Sequence, residues 1–171
     1  MHDVIIGIDI LTADDVDKVA NWPTYSGEYE ALDYALRKGG WLDKFPENEG
    51  NHRFAARIDN QLVGFSILVP TGSRDAEFFI AIHPNWIGRG IGKFLTEKTV
   101  KKGFTRLGFE RIHLKVRHWH SKGIDLYEKV GFRTTEEKEE EWYGKTINFL
   151  TMYLYKTDWE KQSEKFTIKS A

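Results

Sequence analysis

Apolar and polar positions alternate first in "VIIGIDI" (4–10), the period of a half-buried strand, and the chain then changes period. Thr12 stands before "ADDVDKVANW" as a helix N-cap, with Asp14 and Asp15 in the first turn, where the helix dipole favours carboxylates; Pro23 ends this helix. A second helix is predicted over "GEYEALDYALRKGG" (27–40), with Ala31, Leu32, Ala35 and Leu36 at helical spacing and Gly39–Gly40 as its stop. "HRFAARI" and "LVGFSILVP" flank the polar turn Asp59–Asn60–Gln61 and read as a hairpin over 52–70. "AEFFIAIHP" (76–84) is almost wholly apolar, as a central strand covered on both faces would be. A long helix over 91–107 and a strand in "FERIHLKV" (109–116) come next. A short helix "SKGIDLYEKV" (121–130), N-capped by Ser121, precedes two last strands in "GFRTTEEKEEE" and "YGKTINFLTMYLYK".

Hairpins mixed with βα crossovers predict an α/β fold: a mixed sheet of about six to seven strands with helices on both faces. A single domain is expected over residues 1–157, with a charged tail over 158–171. The chain has no cysteine, which excludes a disulfide scaffold, a thiolate metal site and a cysteine nucleophile. No apolar run reaches the ~18 residues of a membrane-spanning helix. "MHDVIIGIDI" has neither a basic leader nor a small-residue cleavage site, so a cytoplasmic protein without a membrane partner is expected. A net charge of −1 argues against a nucleic-acid partner. That average hides an asymmetry: residues 84–133 hold 12 Lys and Arg against 4 Asp and Glu. Such a basic half suits an anionic ligand or is uneven surface decoration.

The basic region opens on "IAIHPNWIGRGIGKFL" (80–95), where Gly88, Gly90 and Gly92 surround Arg89 and Ile91 and precede Lys93. A glycine-rich turn from a strand into a helix N-terminus presents free backbone N–H groups and the positive end of the helix dipole, a cradle for phosphate. Neither common nucleotide motif fits. The dinucleotide pattern would need glycine at Lys93, and the P-loop pattern would need glycine at Ile87 and a hydroxyl residue at Phe94. A tight turn without a ligand is the plain alternative.

"HPNWIGRGIGKFL", then "LGFERIHLKV", then "GIDLYEKVGF" resemble the acetyl-CoA-binding core of the GNAT superfamily of N-acetyltransferases, over residues 76–133. The resemblance implies a sheet splayed at the acetyl-CoA site and an acetyl-CoA co-substrate. Its diphosphate would lie on the backbone of Gly88, Arg89, Gly90, Ile91, Gly92 and Lys93, and its pantetheine arm along Ile80, Ala81 and Ile82. The family signature R/Q-x-x-G-x-G/A places Ile87 where Arg or Gln is usual.

The same resemblance implies an N-acetyltransferase acting by direct attack of a primary amine in a ternary complex. Tyr127 stands where the family carries a tyrosine near the CoA sulfur. Its phenol, with an ordinary pKa near ~10, suits a general acid, or it is a core aromatic beside Leu126, Val130 and Phe132. Glu77 is the candidate base, or a rim carboxylate. Lys115 stands where some members carry a glutamate and cannot replace it. His120 takes the place of a cofactor-contacting asparagine, and Gly123 that of an alanine. No metal is expected: His113, His118 and His120 lack metal-ligand spacing. On the acceptor side, Tyr25, Glu28, Tyr29 and Trp142 supply aromatic and acidic groups suited to a small cationic amine. A protein or peptide amine, or a CoA-binding regulatory or scaffold module without turnover, are the alternatives; a homodimer is compatible with all of them.

Overall fold

The computed structural model describes residues 5–142 and 144–170. Seven strands are present: β1 (Ile6–Ile10), β2 (His52–Ile58), β3 (Gln61–Gly72), β4 (Asp75–Ile82), β5 (Arg111–Arg117), β6 (Arg133–Trp142) and β7 (Lys145–Tyr155). The α-helices are α1 (Ala13–Ala20), α2 (Trp41–Lys44), α3 (Ile91–Thr105), α4 (Ser121–Val130) and α5 (Lys156–Ser170). Val4, expected in the first strand, and Tyr143 and Ala171 lie outside the described residues. The strands form one mixed sheet in the order β1-β2-β3-β4-β5-β7-β6. The pairs β1–β2, β2–β3, β5–β7 and β6–β7 are antiparallel. β4 and β5 are parallel, as strands joined through a crossover helix must be. Their register covers only Asp75–Glu77 against Arg111–His113, although β4 continues to Ile82 and β5 to Arg117.

By packing, the chain divides into two compact units: the chain up to Val69 with Phe79–Thr99, and Pro70–Phe78 with the chain from Val100 onward. In the first unit, Thr12 caps α1 through a reciprocal box with Asp15. Asp15, 1% exposed, also takes both ends of the Arg57 guanidinium, at 2.8 and 2.6 Å. The β2–β3 turn is tighter than the three residues predicted. Asp59 and Asn60 alone make it, with φ of 49° and 65°, the left-handed pair that a two-residue hairpin with the twist of its strands requires. One side of this unit packs Leu11, Val19, Trp22, Phe65 and Ile67; the other packs Val63 against Ile91 and Leu95 of α3.

The helix predicted over 27–40 is instead a 3₁₀ helix over Gly27–Leu36, followed by the short α2. Tyr29, Leu32 and Leu36 pack against the core, and Ala35 is buried beside them. Asp33 holds the segment by accepting from the Tyr25 backbone N–H and from Arg37, which also donates to the carbonyls of Ala20, Trp22 and Pro23.

In the second unit, Ile112 and Leu114 of β5 and Met152 and Leu154 of β7 are buried, while Arg111, His113 and Lys115 point the other way. α4 covers the span expected, but His120 occupies the N-cap position and Ser121 is the first helical residue. The stretch read as a charged tail is helix α5. It packs Trp159 on Phe104 at 5.4 Å and brings Gln162 against Gly131.

Burial of the Asp15–Arg57 pair has a thermodynamic consequence. The Arg57 hydrogen bonds, against the cost of burial, hold the Asp15 carboxyl at about 2, below its ordinary 3.8. A lowered carboxyl pKa stabilises the fold above the ordinary value, and this contribution is lost as pH falls through the folded one. Asp15→Asn is expected to cost about 3 kcal/mol at neutral pH, since it leaves a partly buried guanidinium short of its main partner. In urea unfolding, the gap between wild type and variant is expected to shrink as pH falls below 3.8 towards about 2.

Candidate active site

β4 hands over to α3 through a backbone built without side chains at its bends. The His83 N–H donates to the Val63 carbonyl at 2.8 Å, and the His83 ring Nδ1 accepts from the Asn85 N–H at 3.0 Å. Pro84–Trp86 then makes a single 3₁₀ turn. Gly88 and Gly90 both have φ of 82°, and a Cβ added to either would meet nothing within 4 Å. The two glycines are therefore required by backbone conformation, and the space above them is open to a ligand. α3 begins at once: the Phe94 N–H reaches the Gly90 carbonyl at 3.2 Å. The N–H groups of Ile91, Gly92 and Lys93 precede it, in the first turn where amides have no acceptor within the helix. The Arg89 guanidinium lies over the Trp86 ring at 4.6 Å, and Lys93 makes a long, exposed pair with Glu97 at 3.8 Å. This turn fits an anion at its backbone, with two cations on its flanks.

Along β4, Ala81 is buried with the Trp22 side of the core, while Ile80 and Ile82 pack against the α3 side. The Ile82 carbonyl accepts the Tyr25 hydroxyl at 2.5 Å. Tyr25, expected on the acceptor side, is 7% exposed, and burial raises its phenol above the ordinary range. It is thus a strut between the chain after α1 and the end of β4. Tyr29 packs partly against the same core, and Glu28 is exposed. A cavity of about 430 Å³ in this unit is lined by Asp14, Asp17, Trp22, Asn60, Gln61 and His83. Burial lowers the pKa of His83, keeping it neutral with its proton on Nε2, because Nδ1 is an acceptor. His83 carries no residue pattern that would have singled it out in the sequence.

The second unit holds the candidate acid and base. Tyr127 stands edge-on to Phe78 and Phe132, at 6.4 and 6.2 Å. Burial raises its phenol above the ordinary range, so it keeps its proton. Glu77 is paired in register with His113. Burial raises its carboxyl; His113 and Lys115 act in the opposite direction, and Glu140 and Asp75 add to the rise. Lys115 donates to Glu140 at 2.9 Å, and burial of Asp75 is outweighed by Arg111, Thr71 and His113, which keep that carboxyl ionised. Trp142, the acceptor-side candidate of this unit, lies 5.5 Å from the Arg117 guanidinium, which also faces Phe149 at 5.3 Å.

His120 and Gly123 are packed as a pair. A Cβ on Gly123 would stand 2.5 Å from His120 Cδ2 and 2.7 Å from Nε2, so the imidazole fills the space an alanine would claim. Among the described residues, no group of three or more His, Asp or Glu could hold a metal ion, and no helix is long and apolar enough to cross a membrane. Alanine normally improves a helix position by about 1 kcal/mol over glycine. Gly123→Ala is nevertheless expected to destabilise this protein, and to stabilise it once His120 is also alanine. A double-mutant cycle on melting temperature reads the change of sign.

Residues 16–132 match the acetyltransferase (GNAT) family. An acetyltransferase of Pectobacterium atrosepticum is 33% identical over 75 residues, 44% of this chain and 52% of that protein. The spermidine N(1)-acetyltransferase of Escherichia coli K12 is 30% identical over 90 residues, 52% of this chain and 48% of the relative. The chain thus spans about half the length of the curated relatives it matches. Among solved structures, the Vibrio cholerae spermidine N-acetyltransferase in complex with CoA and spermine superposes with a TM-score of 0.69 at 22% identity, over 90% of this chain and 97% of that one. The spermidine/spermine N-acetyltransferase of the same organism in complex with manganese ions gives 0.73 at 24% identity, over 92% and 96%. The strand order, the open glycine turn ahead of α3 and a family match across more than half of its length agree, and the chain belongs to the GNAT family of acetyltransferases.

Proposed function

We propose that this protein transfers an acetyl group from acetyl-CoA to the primary amine of a small cationic acceptor, by direct attack in a ternary complex. The observation that carries the proposal is the turn at Gly88 and Gly90, whose left-handed backbone leaves open space above amides that begin a 15-residue helix. Anions bind such a helix N-terminus through N–H groups and dipole together. The turn would hold the CoA diphosphate, with Arg89 and Lys93 adding charge. The spermidine acetyltransferases among the relatives support a small amine as acceptor.

With no cysteine in the chain, no thiol can carry the acetyl group as an intermediate. The amine lone pair attacks the thioester carbonyl carbon, a C–N bond forms, and the C–S bond breaks with its electrons on sulfur. Tyr127, kept protonated by burial, gives its proton to the leaving thiolate. Glu77, whose raised pKa brings its basicity nearer that of neutral water chemistry, takes the amine proton through water. Both residues are then reset by exchange with solvent. His120 would contact the cofactor from the N-cap position of α4.

Free-thiol release from acetyl-CoA, measured with a panel of polyamines, amino sugars and amino acids, tests the proposal. Tight CoA binding with no amine-dependent thiol release would make the protein a binding module instead. Tyr127→Phe is expected to lower kcat by about 100-fold while CoA affinity, read by calorimetry, stays unchanged. For Glu77 the sign is set by its raised pKa. Activity falls as pH drops through a value above the ordinary 4.5, because the carboxylate becomes protonated. Glu77→Gln is expected to remove that limb of the kcat/KM profile together with most of the rate. Gly90→Glu, which places bulk and negative charge in the open space of the turn, is expected to abolish CoA binding measured by calorimetry.

A further inference from the structure

Glu77 is the candidate proton acceptor, and the charges around it decide which amines can approach. Side chains alternate between faces along a strand, so register partners share a face. Glu77 pairs in register with His113 of β5, His113 and Lys115 pair with Tyr153 and Thr151 of β7, and β7 pairs with β6. Four carboxylates of the second unit therefore stand on one face of its strands: Asp75, Glu77, Glu136 and Glu140.

Three of the four are already matched by cations of the chain. Asp75 takes the Arg111 guanidinium at 2.9 Å and the His113 Nδ1 at 3.3 Å. Glu140 takes the Lys115 ammonium at 2.9 Å, and Glu136 makes a long, exposed pair with Lys138 at 3.8 Å. Half-buried Glu77 is the exception: burial and surrounding charges act on it, and no hydrogen bond or ion pair reaches it from the described residues. One open carboxylate accommodates one ammonium. A second ammonium on a short acceptor would find Glu140 taken and would meet Lys115, whose positive charge already acts on Glu77. Like charges within ~4 Å of each other near a protein surface repel strongly enough to shift binding about tenfold or more.

We propose that Lys115 is a specificity residue that closes the site to polyamines, so that the acceptor carries a single ammonium, the one that reacts at Glu77. This rests on the N-acetyltransferase reading above and narrows its substrate class. Lys115 is a tethered copy of the charge a polyamine would bring, and the discrimination comes from repulsion rather than from an added contact.

Acceptors of equal length test it: aminobutanol against putrescine and aminopentanol against cadaverine, each with acetyl-CoA and the full chain. In each pair a neutral hydroxyl replaces one ammonium. Wild type is expected to favour the amino alcohols by about tenfold or more in kcat/KM, and the gap is expected to narrow as added salt screens it. Lys115→Gln, which also frees Glu140, is expected to move the ratio about tenfold towards the diamines through KM. Lys115→Arg, which keeps the charge, is expected to keep the wild-type ratio. Equal use of the two classes by wild type overturns the proposal, as does an unchanged ratio in Lys115→Gln or a gain of diamine use in Lys115→Arg.

A pH profile separates the charge of Lys115 from its packing. His113 and Lys115 favour the Glu77 carboxylate against Glu140 and Asp75. Removing the lysine charge disfavours that carboxylate, so the acid limb of kcat/KM for aminopentanol is expected at higher pH in Lys115→Gln and in its wild-type place in Lys115→Arg. A limb that stays in place in Lys115→Gln puts the ammonium too far from Glu77 to exclude a second charge, and overturns the proposal. If no amine releases thiol, the transferase reading fails and binding alone decides. Calorimetry on the CoA-loaded protein is then expected to show cadaverine bound at least about tenfold more weakly than aminopentanol, a gap that Lys115→Gln closes. Equal affinity for the two, or none for either, overturns the proposal.

Discussion

Two backbone torsions carry much of the rest. At Gly88 and Gly90 the chain adopts φ of 82°, a conformation that costs an L-side chain about 1–2 kcal/mol at each position. The cost removes side chains from the turn, and that bareness is what exposes the first amides of α3. It also explains where the positive charge went. Arg89, lying between two residues that must be glycine, cannot fill the space it flanks and instead spreads over the Trp86 ring. Charge and hydrogen-bond donors are therefore separated: the donors are fixed by backbone, and the cations lie on the flanks, Arg89 over Trp86 and Lys93 beside Glu97. A fixed cradle needs no reorganisation when an anion arrives.

Buried charge is distributed by the same logic of completed and uncompleted partners. "HRFAARI" carries two arginines on one strand, and the sequence offers no means of telling them apart. Arg57 reaches back to the capping box of α1, where Asp15 is held by Thr12 and cannot turn away. It is a structural ion pair, closed on both sides. Arg53, four residues earlier, is paired in register with Ile67, and its buried Nε has no hydrogen-bond partner.

What could be read from the sequence was what leaves a local mark. The Asp59–Asn60 turn, the Thr12 cap, the span of α4 and the start of α3 each follow from a residue whose backbone preference is strong. The 27–40 segment reads as an α-helix because Ala31, Leu32, Ala35 and Leu36 fit a period of 3.6; the positions that meet the core, Tyr29, Leu32 and Leu36, keep a 3–4 spacing, so the pattern does not distinguish the 3₁₀ helix that forms. Helix α5 carries little periodic signal; among its described side chains, Trp159 packs on Phe104 and Gln162 lies against Gly131. At the site, the glycine turn was legible because glycine is tied to a torsion. The burial of Tyr25 is not, because only tertiary packing decides it. The Tyr25 hydroxyl donates to the Ile82 carbonyl, a contact that no local pattern marks.

Departures from the family pattern look different in pairs. Taken alone, His120 for asparagine and Gly123 for alanine are two losses, yet the imidazole occupies the volume of the missing Cβ, so each makes the other tolerable. Lys115 for glutamate is answered by Glu140. Lys115 lowers the Glu77 pKa and Glu140, 2.9 Å from the lysine ammonium, raises it. With those two fields opposed, burial is left as the deciding influence, and the Glu77 carboxyl remains raised. A glutamate at 115 would have repelled a Glu77 carboxylate, whereas Lys115 and His113 favour that carboxylate against Glu140 and Asp75. The Glu77 carboxyl is thus raised chiefly by its burial on β4.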